Sequence, residues 1–166
     1  IKRQMARHLR IKMRTTDQSY LRIQYASANR ETVGWIRSTI SNYAEEGFSP
    51  TVVIVDYADL IKASYQQDSR RDTIDQIWVD LRAISQDMHC LLITASQTNR
   101  SSYKAEVIQM EHAGEDKRKL AHANVVYGIN QKESEKRDRV ARLNVVVRRE
   151  DDFIPSDVVY VAGCPE

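Results

Sequence analysis

The chain has 166 residues, 42% of them apolar and 29% charged, with a formal net charge of +2. This is enough chain for one domain with a proper core, in the composition of a soluble globular protein. The apolar runs are far too short to span a bilayer, and so small a net charge identifies no partner.

The chain opens IKRQMARH, with neither an initiator methionine nor a signal-like segment, and reads as an excerpt of a longer polypeptide. Ile1, Met5, Leu9 and Met13 lie four apart, which predicts a basic helix over 1–14 within a lead-in that ends near residue 20. LRIQYA, 21–26, reads as a strand. Asn29 is placed to cap a helix over about 31–46, with Glu31 in its first turn and Val33, Ile36, Ile40 and Tyr43 as its buried stripe. Gly47 and Pro50 end it.

TVVIVDYADLI, 51–61, and CLLITASQTNR, 90–100, are short apolar runs rich in β-branched residues that stop abruptly in polar groups. Strands buried on both faces of a parallel sheet read this way. Between them Ile74, Ile77, Leu81, Ile84 and Met88 have helical spacing, and Asp72 is placed to cap that helix. The unit is strand–helix–strand with a right-handed crossover. A polar stretch, 97–115, leads to a short helix near 116–123 and the strand VVYGI, 125–129. QKESEKRDR reads as a solvated turn before the strands RLNVVV, 142–147, and DVVYVA, 157–162. No repeat or linker interrupts the order, so one α/β domain over 1–166 is expected, its sheet parallel at the centre with an antiparallel tail. Cys90 and Cys164 are too isolated for a disulfide framework or a metal site, which favours a reducing cytoplasm.

Ligands of such sheets collect beyond the carboxyl ends of the strands, where Asp56 and Gln97 fall. An Asp after four apolar strand residues suits a metal near the β- and γ-phosphates, although any parallel strand can end in Asp to bind a loop. A neutral amide such as Gln97 can bond a γ-phosphate or an attacking water, and Asn99 lies close by, although SQTNR is also ordinary turn chemistry. Lys117, Arg118 and Lys119 follow a loop containing Gly114 and suit a phosphate backbone, or a solvated helix face. Arg148 and Arg149 after the strand can stabilise phosphoryl charge or pair with Glu150, Asp151 and Asp152. The histidines show no ligand spacing.

The order of these segments resembles the RecA-like motor domain of replicative hexameric helicases, the DnaB-like family including its phage-encoded members. VVIVDYADLI is similar to that family's Walker B strand, and ITASQTNR to its next motif, a strand ending in Ser-Gln and then Asn-Arg. GEDKRKLAHANVVYGI resembles its Gly-containing loop, short helix and strand, and RLNVVVRREDDFIPSDVVYV its final hairpin, which carries an arginine finger. LRIQYAS corresponds to the strand before Walker B, so the resemblance runs from about residue 20 to the end.

The resemblance implies a RecA-like three-layer sandwich acting on ATP and Mg2+ within a hexameric ring. Asp56 would orient the magnesium shell and Gln97 would sense the γ-phosphate. Arg148 or Arg149 would reach a neighbouring subunit's ATP. The loop from about 101 to 119 would track single-stranded DNA, with Arg100, Lys117, Arg118 and Lys119 as phosphate contacts. A primase or helicase loader would be a further partner.

The chain departs from the family in lacking Gly-x-x-x-x-Gly-Lys-Ser/Thr and the strand that supplies a catalytic Glu. The final motif, usually Lys-x-Arg, is here Val-Arg-Arg-Glu. Either Arg149 is the finger with Val147 in the lysine's place, or Arg148 replaces the lysine and Glu150 takes the finger position. Asn124 stands where the family tends to have Asp. A motor fragment that is inactive alone is the leading expectation, against a RecA-like recombination or regulatory ATPase and a non-catalytic interaction module.

Overall fold

The computed structural model describes residues 20–64, 69–99, 102, 105–113, 117–150 and 152–163. The expected basic helix over 1–14, together with Arg100, Gly114, Asp151 and Cys164, lies outside them. In chain order the elements are α1 (Val33–Glu45), β1 (Val52–Val55), α2 (Arg70–Asp87), β2 (Leu91–Thr94), β3 (Val125–Asn130), α3 (Glu133–Arg137), β4 (Val140–Arg148) and β5 (Val158–Ala162). Short 3-10 turns cover Ala58–Leu60, Met110–His112 and Lys117–His122.

Strands β1 and β2 pair in parallel, Val52 opposite Leu91 through Val55 opposite Thr94, with α2 as their connection. Strands β3, β4 and β5 form an antiparallel sheet in that order, with a register shift between Val126 and Tyr127. The parallel pairing and the antiparallel tail are therefore as expected, but they form two sheets rather than one.

The helices are built as their apolar spacing predicts, with different caps. The side chain of Thr32 accepts the Trp35 amide at 3.3 Å and starts α1. Asn29 instead takes a φ of 54° in the preceding turn, and Glu31 precedes the helix rather than joining its first turn. Val33 and Ile40 are buried, with Ile36 packed against them. Ser69, not Asp72, caps α2: its hydroxyl accepts the Asp72 amide at 3.1 Å and donates to Asp72 Oδ2 at 2.7 Å. Asp72 lies in the first turn, where its charge favours the positive end of the helix dipole. Ile74, Ile77, Leu81 and Ile84 form the buried stripe with Trp78 beside them.

These two helices build one core with Ala58 over the face of the parallel pair that carries Val53, Val55 and Leu92. The opposite face leaves Val52, Ile54, Leu91 and Ile93 exposed. Cys90 is buried, and that burial pushes its thiol pKa up.

Two further expectations are corrected. Residues 21–26 form no strand; no described strand pairs with them, so their backbone has no ladder to join. Arg22 instead stacks over Tyr43 and Phe48, 4.6 and 5.1 Å from the ring centroids, and pairs with Glu46. The charged run after β3 is not simply a turn but contains α3, where Glu135 accepts the Lys132 amide at 2.7 Å. That helix leads into β4 through Arg139, whose φ is 56°.

Candidate functional site

Parallel pairing sets the carboxyl ends of β1 and β2 side by side, and Thr94 ties them together. Its hydroxyl donates to the Val55 carbonyl at 2.9 Å and accepts the Ala58 amide at 3.0 Å. The chain therefore turns sharply after β1, with Ala58 fully buried beneath the turn. Asp56 stands at this turn, solvent-exposed, and its peptide bond to Tyr57 is cis. Across the strand tips, Gln97 Nε2 donates to the Tyr57 hydroxyl at 2.9 Å. Gln97 is thus bonded to the residue that follows Asp56. Asn99 is occupied in shaping the loop: its amide bonds the His112 carbonyl at 3.0 Å and its side chain the Glu111 carbonyl at 3.1 Å.

A second carboxylate, three residues after Asp56, has a different environment. Asp59 Oδ2 accepts from the Ser96 hydroxyl at 2.8 Å and from the Gln97 amide at 3.4 Å. Lys119 Nζ donates to Ser96 Oγ at 2.5 Å and lies 3.6 Å from Asp59 Oδ2. Lys119 is only 1% exposed, and burial of an ammonium is costly unless it is paired and hydrogen-bonded. Here the serine hydroxyl accepts from the ammonium and donates to the carboxylate. Lys119, the expected DNA contact, is thus buried here with its ammonium directed to Ser96 and Asp59.

The other expected cations are dispersed. Lys117 is exposed, and Arg118 pairs with Asp72 in the first turn of α2 at 2.9 Å. His122 Nε2 contacts Asp75 at 2.9 Å, and Arg82 donates to the His122 carbonyl at 3.1 Å. Arg148 ends β4 opposite Val125, in the antiparallel sheet. Arg149 donates its amide to the Asn124 carbonyl at 3.2 Å and its Nε to the Ala123 carbonyl at 3.1 Å. The segment 117–124 therefore touches the strand tips, α2 and Arg149.

The loop segment 105–109 is bonded to one face of β3 and β4. Asn130 Oδ1 accepts the Ile108 amide at 2.7 Å, and Asn144 Nδ2 donates to the Ile108 carbonyl at 2.9 Å. Asn130 and Asn144 bond each other at 2.8 Å and are 7% and 2% exposed, so the pair acts as a buried side-chain substitute for a strand edge. Gly128 makes room: a Cβ there would lie 2.5 Å from Asn144 Oδ1 and 2.9 Å from Ile108 Cβ. Buried Arg142 donates to the Glu106 carbonyl at 3.0 Å. Its Nε lies 2.8 Å from Glu135 Oε1 but off the hydrogen-bonding direction, so that contact is ionic. The hydrogen bond from Lys132, then the charges of Lys132 and Arg142, hold the Glu106 carboxyl below the usual carboxylate range.

Sequence reasoning missed Asp59, Ser96 and the paired asparagines. Asparagine is disfavoured in strands, so two of them inside apolar strands were a readable signal. Nothing comparable distinguished Lys119 from its neighbours in the run Lys-Arg-Lys.

The strand-tip chemistry suits a magnesium nucleotide. Mg2+ keeps several waters and takes one or two carboxylates beside substrate phosphates, which one exposed Asp56 fits. Asp59 does not compete for it, being committed to Ser96, Gln97 and Lys119. Among the described residues no group of three or more His, Cys, Asp or Glu could hold a metal by itself, and no helix is long and apolar enough to cross a membrane.

A carboxylate and an amide thus follow the ends of two paired parallel strands, the edge at which ligands of open α/β sheets collect. The model of the DnaB-like helicase C-terminal domain family matches residues 1–113, and the chain belongs to that family. No curated protein matches it significantly. Among solved structures, an ATPase domain is similar with a TM-score of 0.68 and 19% identity, over 80% of this chain and 48% of that one. A structure of a DnaB-like replicative helicase and its interactions with primase is similar with a TM-score of 0.70 and 18% identity, over 82% of this chain and 34% of that one. These are likenesses of fold, and the chain spans about half the length of the first and a third of the second.

Proposed function

We propose that this chain is the C-terminal part of an ATP-dependent replicative DNA helicase motor that moves along single-stranded DNA as a hexameric ring. The observation that carries the proposal is the placement of exposed Asp56 and Gln97 just beyond the ends of the paired parallel strands, with Gln97 bonded at 2.9 Å to Tyr57, the residue after Asp56. Family membership supports it.

Residues 1–166 are read as one partial RecA-like domain, a three-layer sandwich. Two layers are described; the apolar outer face of β1 and β2, with Val52, Ile54, Leu91 and Ile93 exposed, suits a third. Asp56 would hold the water shell of a magnesium ion, which when bound supplies charge neutralisation to the phosphates. Gln97 would bond the γ-phosphate in place of its tyrosine partner. Arg148 or Arg149 reaches the nucleotide of a neighbouring copy. Lys117, Arg118 and Arg100 contact DNA phosphates, which carry affinity without sequence preference. Primase or a helicase loader is a further partner, and the cytoplasm is the compartment. These 166 residues, which contain no Gly-x-x-x-x-Gly-Lys-Ser/Thr cradle, do not turn over ATP by themselves.

The test is strand displacement from a forked duplex by the natural polypeptide that carries these residues. Displacement should require ATP, and Asp56→Ala should lower it roughly 100-fold or more, as loss of a group that organises transition-state charge does. Displacement without ATP, or unchanged by Asp56→Ala, would contradict the proposal.

A further inference from the structure

We infer that Lys119 is a positioning residue, which joins the strand tip carrying Gln97 to the segment 117–124 so that a shift of that segment moves Gln97. The inference rests on the motor reading for its functional consequence, but its geometry is independent of that reading. Lys119 is 1% exposed although it lies in a short 3-10 turn whose first two residues, Lys117 and Arg118, are exposed. Its ammonium reaches Ser96 Oγ at 2.5 Å, and Ser96 is the residue before Gln97. The serine hydroxyl passes the contact to Asp59 Oδ2 at 2.8 Å, and the same oxygen receives the Gln97 amide at 3.4 Å. The backbone at Gln97 and the ammonium of Lys119 therefore share one carboxylate oxygen.

The opposite side of the same segment holds Arg149. Its Nε donates to the Ala123 carbonyl at 3.1 Å and its amide to the Asn124 carbonyl at 3.2 Å. The segment follows the loop whose earlier part, around Ile108, is bonded to Asn130 and Asn144. A displacement of the segment at exposed Lys117, beyond the attachment at Ile108, therefore reaches the Gln97 tip through Lys119. Low dielectric and the directional Lys–Ser–Asp chain make that attachment stiff. Charge alone does not achieve this: Asp59 Oδ1 is buried with no hydrogen-bond partner among the described residues, and the Oδ2 contacts converge on the Gln97 tip.

The test uses the natural polypeptide with Lys119→Met, Lys119→Arg and the double variant Asp59→Asn/Lys119→Met. Amide hydrogen exchange should accelerate about tenfold at residues 95–99 in Lys119→Met, while the α2 amides at 77–84 stay protected. Lys119→Arg should recover most of that protection. The kcat of DNA-stimulated ATP hydrolysis should fall in Lys119→Met with little change in KM, and should not return in the charge-balanced double variant. Acceleration spread equally over α2 and the strand tips would mean a purely structural role and overturn the inference. Full DNA stimulation in the double variant would overturn it as well. If the unmodified polypeptide shows no DNA-stimulated hydrolysis, the motor reading fails, and the exchange pattern alone still decides whether Lys119 positions Gln97.

Discussion

Asp56 and Asp59 are chemically identical and three residues apart, yet their surroundings assign them different work. Asp56 is exposed at the turn after β1, open to a cation, whereas Asp59 is enclosed by Ser96, the Gln97 amide and Lys119. Gly128 is a position where one methyl group decides packing. Gly128→Ala places a Cβ 2.5 Å from Asn144 Oδ1 and 2.9 Å from Ile108 Cβ, so the loop segment must lift. A loss of about 1–3 kcal/mol is expected from the urea midpoint, and an unchanged midpoint would mean that the segment is not fixed there. Glu106 gives a pH dependence of known sign. Its folded-state pKa is depressed by the Lys132 hydrogen bond, so its contribution is present above the usual carboxylate pKa and is lost as pH falls through the depressed value. Acidification should lower the thermal midpoint of the wild type more than that of Glu106→Gln; equal slopes would remove the contact from the account.

At the scale of elements, apolar spacing located the helices and strands well because burial imposes it directly. The stripe of α2 and the parallel runs of β1 and β2 are of this kind. The caps were less legible, because Asn29, Thr32, Ser69 and Asp72 all have capping chemistry and only backbone geometry selects among them. Ser69→Ala should therefore cost about 1 kcal/mol, or roughly 2–4 °C in Tm, while a change that small in Asp72→Ala would reflect loss of its ion pair with Arg118, its bond from Ser69 and its charge in the first turn. A Ser69→Ala protein melting with the wild type would argue against that cap. The strand expected at 21–26 failed for a non-local reason, since a strand exists only beside a partner. The helix inside QKESEKRDR was hidden because its residues are largely solvated and carry no apolar stripe.

For the whole molecule, the placement of Asp56 and Gln97 just beyond the tips of β1 and β2 was legible because apolar runs mark those strands, and parallel pairing sets their ends side by side. The Lys119 link was not, because it joins three segments distant in sequence and depends on burial that a charged run conceals. The outer apolar face of the parallel sheet and the exposed Tyr127, Ile129, Val159 and Val161 of the antiparallel sheet suit a larger packed assembly. Steady-state ATP hydrolysis by the natural polypeptide, with and without single-stranded DNA, tests the motor reading most directly. The account predicts hydrolysis that DNA stimulates severalfold and that Asp56→Ala abolishes; a rate indifferent to DNA or to Asp56 would contradict it.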